Sequence, residues 1–140
     1  DLNMKIKLFK QDIKLPMKSH LPDVGMDCFM PEDIVIRPFE TKTFNLGFGV
    51  QIPEGFGGMF VPRSSISTQG LIIQTAIIDP DYTGELHGII TNCSGNTVIL
   101  KKDQRVMSLI VMNVLNARIE IVNEFDKTER GSNGLGSTGK

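Results

Sequence analysis

Short apolar runs separated by turn residues dominate this chain. Residues 4–9 alternate, Met4-Lys5-Ile6-Lys7-Leu8, before turning polar. Residues 33–38 are a short β-rich run closed by Pro38, and a longer one covers 41–52 and stops at Pro53-Glu54-Gly55. Residues 56–61 lead into Pro62; runs at 71–78, 85–92, 97–100, 106–115 and 118–122 follow. Period-two alternation and β-branched enrichment predict strands. Many short strands at regular spacing predict an all-β fold, a barrel or a jelly roll, rather than βαβ units. One short helix is predicted at 64–69, where serines can cap the first turn.

The pattern changes near the carboxyl end. Residues 124–130 are polar and 131–140 are rich in Gly and Ser. Two parts are therefore expected: a β-barrel domain over 1–123 and a flexible tail over 124–140. With 40% hydrophobic residues in 140, one domain with a real core is expected. A net charge of −1 argues against a nucleic-acid binder that relies on a broad basic surface. It leaves room for a local basic pocket. No apolar run approaches the ~18 residues of a membrane span. The amino end carries no signal-peptide pattern, and Met4 reads as a natural start. Cys28 and Cys93 lie far apart and are expected to be buried, reduced thiols in an intracellular, cytoplasmic protein. His20 and His87 are isolated, which argues against a zinc site.

Candidate chemistry concentrates in a few places. Asp79-Pro80-Asp81-Tyr82-Thr83-Gly84-Glu85 follows the apolar run Ile72-Ile73-Gln74-Thr75-Ala76-Ile77-Ile78 and holds the only tyrosine. A carboxylate delivered to the mouth of an apolar pocket can take a proton from water, and a ring beside it can support a ring-shaped ligand. The same residues also suit a plain hairpin end. In the tail, Arg130, Ser137 and Thr138 stand among glycines. Glycine amides, hydroxyls and a guanidinium can wrap a phosphate, although a disordered end has the same composition. Pro62-Arg63-Ser64-Ser65 places an arginine at a helix start, either an anion site or a simple cap with a surface arginine. Asp27 can hold the waters of a hard cation or pair locally. Asp103-Gln104-Arg105-Val106 reads as a turn into a strand, with Arg105 in a salt bridge.

Taken in order, five segments resemble the motifs of the trimeric dUTP pyrophosphatases (dUTPases), over nearly the whole chain. They are Val24-Gly25-Met26-Asp27-Cys28, Pro62-Arg63-Ser64-Ser65, Ala76-Ile77-Ile78-Asp79-Pro80-Asp81-Tyr82-Thr83-Gly84, Gln104-Arg105-Val106-Met107-Ser108-Leu109, and the tail from Arg130 to Gly139. The resemblance extends to small viral and phage members. It implies a homotrimeric jelly-roll-like barrel with sites between subunits, each closed by a tail. The implied reaction is Mg²⁺-dependent hydrolysis of dUTP to dUMP and pyrophosphate.

In that reading Asp79 orients and deprotonates the water that attacks the α-phosphorus. Tyr82 packs on the deoxyribose and excludes a 2′-hydroxyl. The segment 71–78, including Ala76 and Ile78, presents backbone groups to uracil. Arg63, Ser64, Ser65 and Ser108 serve the substrate, and Arg130, Leu135, Gly136, Ser137 and Thr138 close over it. Asp27 touches the metal through water. The physical needs agree: a triphosphate ester requires charge neutralisation and positioning more than covalent chemistry. Several positions depart from the family pattern. Leu135 stands where an aromatic usually stacks on uracil, Ser108 replaces a glutamine, Asp103 a glycine and Met26 a tyrosine.

Rival readings are separable. A dCTP deaminase shares the fold but needs a strand glutamate where this chain has Ile89. A dUTPase-like trimer that captures a regulatory protein partner fits the departures at Leu135 and Ser108. A carbohydrate binder would need aromatic platforms, and the chain has no Trp and one Tyr.

Overall fold

The computed structural model describes residues 3–136. As expected, its elements are strands apart from one helical turn. In chain order they are β1 (Lys5–Leu8), β2 (Gly25–Phe29), β3 (Ile34–Ile36), β4 (Thr41–Asn45), β5 (Phe48–Gln51) and β6 (Phe56–Pro62). Helix α1 (Ser64–Ser67) follows, then β7 (Leu71–Ile73), β8 (Ala76–Ile78), β9 (His87–Asn92), β10 (Val98–Leu100) and β11 (Arg105–Asn113).

Strands distant in sequence pair antiparallel. One sheet runs β2-β11-β6-β8, a second β4-β9-β7, and two ribbons join β1 to β5 and β3 to β10. All four share one core, in which Cys28, Phe48, Phe60, Ile78, Ile90, Leu100 and Leu109 are buried together. Alternation explains the burial. In β9, Gly88, Ile90 and Asn92 turn inward while His87 faces solvent. The buried Asn92 is fully used: its amide donates to the carbonyls of Ile36 and Asn96, and its oxygen accepts from Ser94.

Four expectations are corrected. Residues 41–52 are two strands, because Gly47 takes a left-handed φ of 82° and sends β4 and β5 into different sheets. Residues 71–78 likewise divide: β7 pairs with β9 and β8 with β6, so they do not form a two-stranded ladder with each other. Residues 118–122 form no strand. Ile119 and Ile121 are 96% and 94% exposed, because the described residues offer neither a ladder partner nor apolar cover for them. Residues 25–29, unread as a strand, are β2, held by β11 and by a bridge from Met17 to Asp27.

The helix is shorter than expected and is not capped by serine. Arg63 occupies the N-cap position in extended conformation with no side-chain cap bond, which leaves the serines inside the first turn. Both cysteines are free, but only Cys28 is buried; Cys93 is exposed. Beyond Val114, whose N–H donates to the Gly55 carbonyl at 2.9 Å, the described chain is exposed through Gly136.

Candidate active site

Strand β8 carries the acid out of the core. Ile78 is buried opposite Gly58, where a Cβ would stand 3.2 Å from the Ile78 Cβ. One residue later the chain leaves the sheet and Asp79 becomes exposed. Tyr82 N–H donates to the Asp79 carbonyl at 3.1 Å, closing a turn with Pro80 at its second position. The Tyr82 hydroxyl donates to the Glu85 carbonyl at 2.8 Å. The ring lies over Gly84, where a Cβ would come within 2.6 Å of the hydroxyl oxygen. Ala76, Ile78, Asp79 and Tyr82 thus line one cleft of about 210 Å³, floored by Phe60 and Leu86. The floor is apolar and the acid stands at the rim. Among the described residues no side chain pairs with the Asp79 carboxylate, so it is available to a water or a ligand.

A second cluster joins three of the separated segments. Asp27 on β2 sits opposite Ser108 on β11, which sits opposite Val61 on β6. The Asp27 carboxylate is 2.9 Å from Arg105 Nε and 3.6 Å from Arg63 Nε. Ser19 adds a hydroxyl donor at 3.3 Å. Asp27 is therefore paired locally, and Arg105 is in the salt bridge expected of it. Two guanidiniums share one carboxylate, which leaves this patch one positive charge in excess. Ser64 and Ser65 are exposed on the adjoining helical turn. Ser108 is half-buried beside Gly25, where a Cβ would meet the serine at 3.0 Å.

The two clusters lie at opposite ends of β6. Ile78 pairs with Gly58, so Asp79 falls beside Gly57, while Arg63 follows Pro62 at the other end. Six residues of strand separate them, or about 20 Å at ~3.3 Å per residue. None of the residues lining the Asp79 cleft belongs to the Arg63 or Asp27 group. In the tail, Arg130 Nε donates to the Asn133 carbonyl at 2.9 Å, and Leu135 and Gly136 are exposed. None of these three lines the cleft. Ser137 and Thr138 lie outside the described residues.

Sequence reasoning missed Phe60 and Leu86, whose inward positions in β6 and before β9 make the cleft floor. Nor did it give Glu85 a role; this residue is half-buried and accepts from Gly47 N–H at 3.1 Å. The signal available was its place directly after Gly84.

The dUTPase family model matches residues 11–139. The chain belongs to the dUTPase family. Deoxyuridine 5′-triphosphate nucleotidohydrolase of Hydrogenobaculum sp. (strain Y04AAS1) is 32% identical over 99% of this chain and 99% of its own. The dUTPase of Paramecium bursaria Chlorella virus 1 is 30% identical over 98% of each. Among solved structures, the Staphylococcus bacteriophage 80alpha dUTPase with dUpNHpp superposes with a TM-score of 0.84 at 27% identity, covering 99% of each chain. A single-residue variant of that phage dUTPase reaches 0.86 at the same identity. The all-β architecture is thus that of the dUTPases. Among the described residues no helix is long and apolar enough to cross a membrane.

Proposed function

We propose that this dUTPase-family chain is a dUTP diphosphatase, hydrolysing dUTP to dUMP and pyrophosphate. The observation that carries the reading is the Asp79–Tyr82 turn at the rim of an apolar cleft, in a chain that aligns end to end with dUTP nucleotidohydrolases. Asp79 accepts a proton from a water held against the α-phosphorus. The water oxygen bonds to phosphorus as the bond to the bridging oxygen breaks, and pyrophosphate leaves with that oxygen. The Tyr82 ring lies against the deoxyribose, where a 2′-hydroxyl would collide with it. Backbone groups around Ala76 and Ile78 meet the uracil edge.

Phosphate binding falls to the other cluster. Arg63, with the surplus charge around Asp27 and the hydroxyls of Ser64, Ser65 and Ser108, holds the β- and γ-phosphates. Arg130, Leu135, Gly136, Ser137 and Thr138 close over the nucleotide. Because Arg63 and Asp79 of one chain stand about 20 Å apart along β6, one site draws them from different copies, as in a closed homotrimer. The exposed apolar residues Ile77, Met112 and Val114 beside Asp79 are surfaces that such neighbours would cover.

Magnesium fits only as a passenger of the triphosphate. Among the described residues no group of three or more His, Cys, Asp or Glu could cage an ion. Asp27, already held by two arginines, would reach one through water. When bound, the ion neutralises phosphate charge and aids departure of pyrophosphate.

Deaminase chemistry is disfavoured by Ile89, which pairs with Thr43 in the β4–β9 ladder and cannot carry a proton. A regulatory role is the second reading. The 80alpha phage dUTPase controls transfer of virulence genes by a proto-oncogenic G protein-like mechanism, and this chain resembles it along its whole length. The deciding experiment is pyrophosphate release from dUTP against dTTP, dCTP and UTP. Hydrolysis confined to dUTP is expected; release of ammonia from dCTP, or no turnover of dUTP, would overturn the assignment.

A further inference from the structure

The turn that carries Asp79 and Tyr82 is anchored by a side chain with no part in the chemistry. Glu85 is bonded in two directions. Its carboxylate accepts Gly47 N–H at 3.1 Å, and its carbonyl accepts the Tyr82 hydroxyl at 2.8 Å. Gly47 is itself a fixed point. It holds a left-handed φ of 82°, and its carbonyl accepts the N–H groups of Phe9 and Lys10 at 2.8 and 3.0 Å. Either side of it, Leu46 N–H donates to Leu86 and Leu86 N–H donates to Phe48, both at 2.9 Å. The turn also presses on β5: a Cβ on Gly49 would stand 2.6 Å from the Gly84 carbonyl oxygen.

Tyr82 is 42% exposed, so packing alone does little to fix its ring. The bond to the Glu85 carbonyl and the contact with Gly84 fix it. The peptide that carries this carbonyl is held at two points, by its own Leu86 N–H bonded to Phe48 and by the Glu85 carboxylate on Gly47.

We propose that Glu85 is a positioning residue for Tyr82: by tying the turn to the β4–β5 bend it holds the ring where it discriminates the sugar. The sugar role rests on the dUTPase reading; the positioning of the ring does not. Loss of the carboxylate leaves Gly47 N–H without its acceptor and removes one of the two ties on the peptide that holds the Tyr82 hydroxyl, so the ring is held less firmly.

Tyr82 is the only tyrosine and the chain has no tryptophan. The tyrosine near-ultraviolet circular dichroism band and fluorescence anisotropy therefore report on its ring without reference to activity. The full chain would be prepared as wild type and as Glu85→Gln, Glu85→Asp and Glu85→Ala. Each would be assayed for these two signals and for kcat/KM on dUTP and UTP.

Gln keeps an oxygen that can accept from Gly47 and is expected to retain the ring signal and the selectivity. Asp is one methylene short, and Ala lacks the acceptor. Both are expected to lose dichroism and anisotropy, and to lower the dUTP/UTP ratio roughly tenfold, the size of one hydrogen bond of about 1.4 kcal/mol. Should Ala fail to fold, the Gln and Asp pair decides. A folded Asp or Ala variant with wild-type ring signals would overturn the proposal, as would Gln behaving like Ala. Ring signals that change as expected in a protein that never hydrolyses dUTP would sustain the positioning role and defeat the dUTPase reading alone.

Discussion

Two inactive variants should rescue one another. Asp79→Asn removes the proposed base, and Arg63→Ala removes a phosphate ligand from the far end of β6. About 20 Å of strand separates the two positions within one chain, too far for both to act on one nucleotide. If each site takes its carboxylate from one copy and its guanidinium from another, a mixed assembly contains intact sites. In an equimolar random mixture, the copy supplying Asp79 is the Arg63→Ala chain half the time. The copy supplying Arg63 is the Asp79→Asn chain half the time. About a quarter of sites are then complete, so the mixture should approach a quarter of the wild-type rate per site.

Neither change should unfold the protein. Asp79 is exposed and its side chain has no partner among the described residues. Arg63 sits 3.6 Å from Asp27, which keeps Arg105 at 2.9 Å, so the loss should stay below ~1 kcal/mol. The assay is pyrophosphate release after co-refolding differently tagged chains from denaturant, with pull-down proving that they mix. A well-mixed sample no more active than its parents would refute the shared site and the strand geometry behind it.

Other outcomes follow from the same framework. Asp79→Asn alone should abolish turnover while calorimetry shows retained binding of a non-hydrolysable dUTP analogue; a rate above ~10% of wild type would place the base elsewhere. Tyr82→Ala should lower activity and relax selectivity against UTP, and an unchanged dUTP/UTP ratio would contradict the ring's contact with the sugar. Burial, reinforced by the neighbouring Asp27 charge, pushes the Cys28 thiol from 9.0 up to about 12. The folded thiol keeps its proton where the unfolded one loses it. The contribution of this thiol to stability is therefore fully present below pH 9 and is lost as pH rises toward 12, by on the order of 4 kcal/mol over the window. Urea midpoints of wild type should decline more steeply between pH 9 and 11 than those of Cys28→Ala, and equal slopes would refute the shift. Deleting residues 130–140 should leave folding intact, since Arg130 to Gly136 are exposed, yet cut turnover strongly. Leu135→Phe should tighten binding of a dUTP analogue by roughly 0.5–1.5 kcal/mol if it covers uracil, and wild-type behaviour in the truncation would make the tail a bystander.

Local pattern was enough for part of this protein. Alternation in residues 4–9, and the apolar runs bounded by Pro, Gly and Asp, determined an all-β chain, because side-chain period and turn chemistry are properties of neighbouring residues. The order of five short segments likewise pointed to the dUTPases. Other features depended on residues far apart in the chain. The turn at Gly47 splits one β-rich segment between two sheets, and its amide meets Glu85, 38 residues away. The cleft floor combines Phe60 with Leu86. Asp27 finds Arg105 across a ladder 78 residues long in sequence separation. The alternation of residues 118–122 predicted a strand that this chain alone does not form, since alternation specifies a buried face but not what covers it. Pairing, cover and ionic partners are set by the antiparallel register of strands distant in sequence. That register brought the separated acids and arginines into clusters, and it placed Asp79 and Arg63 at opposite ends of one strand.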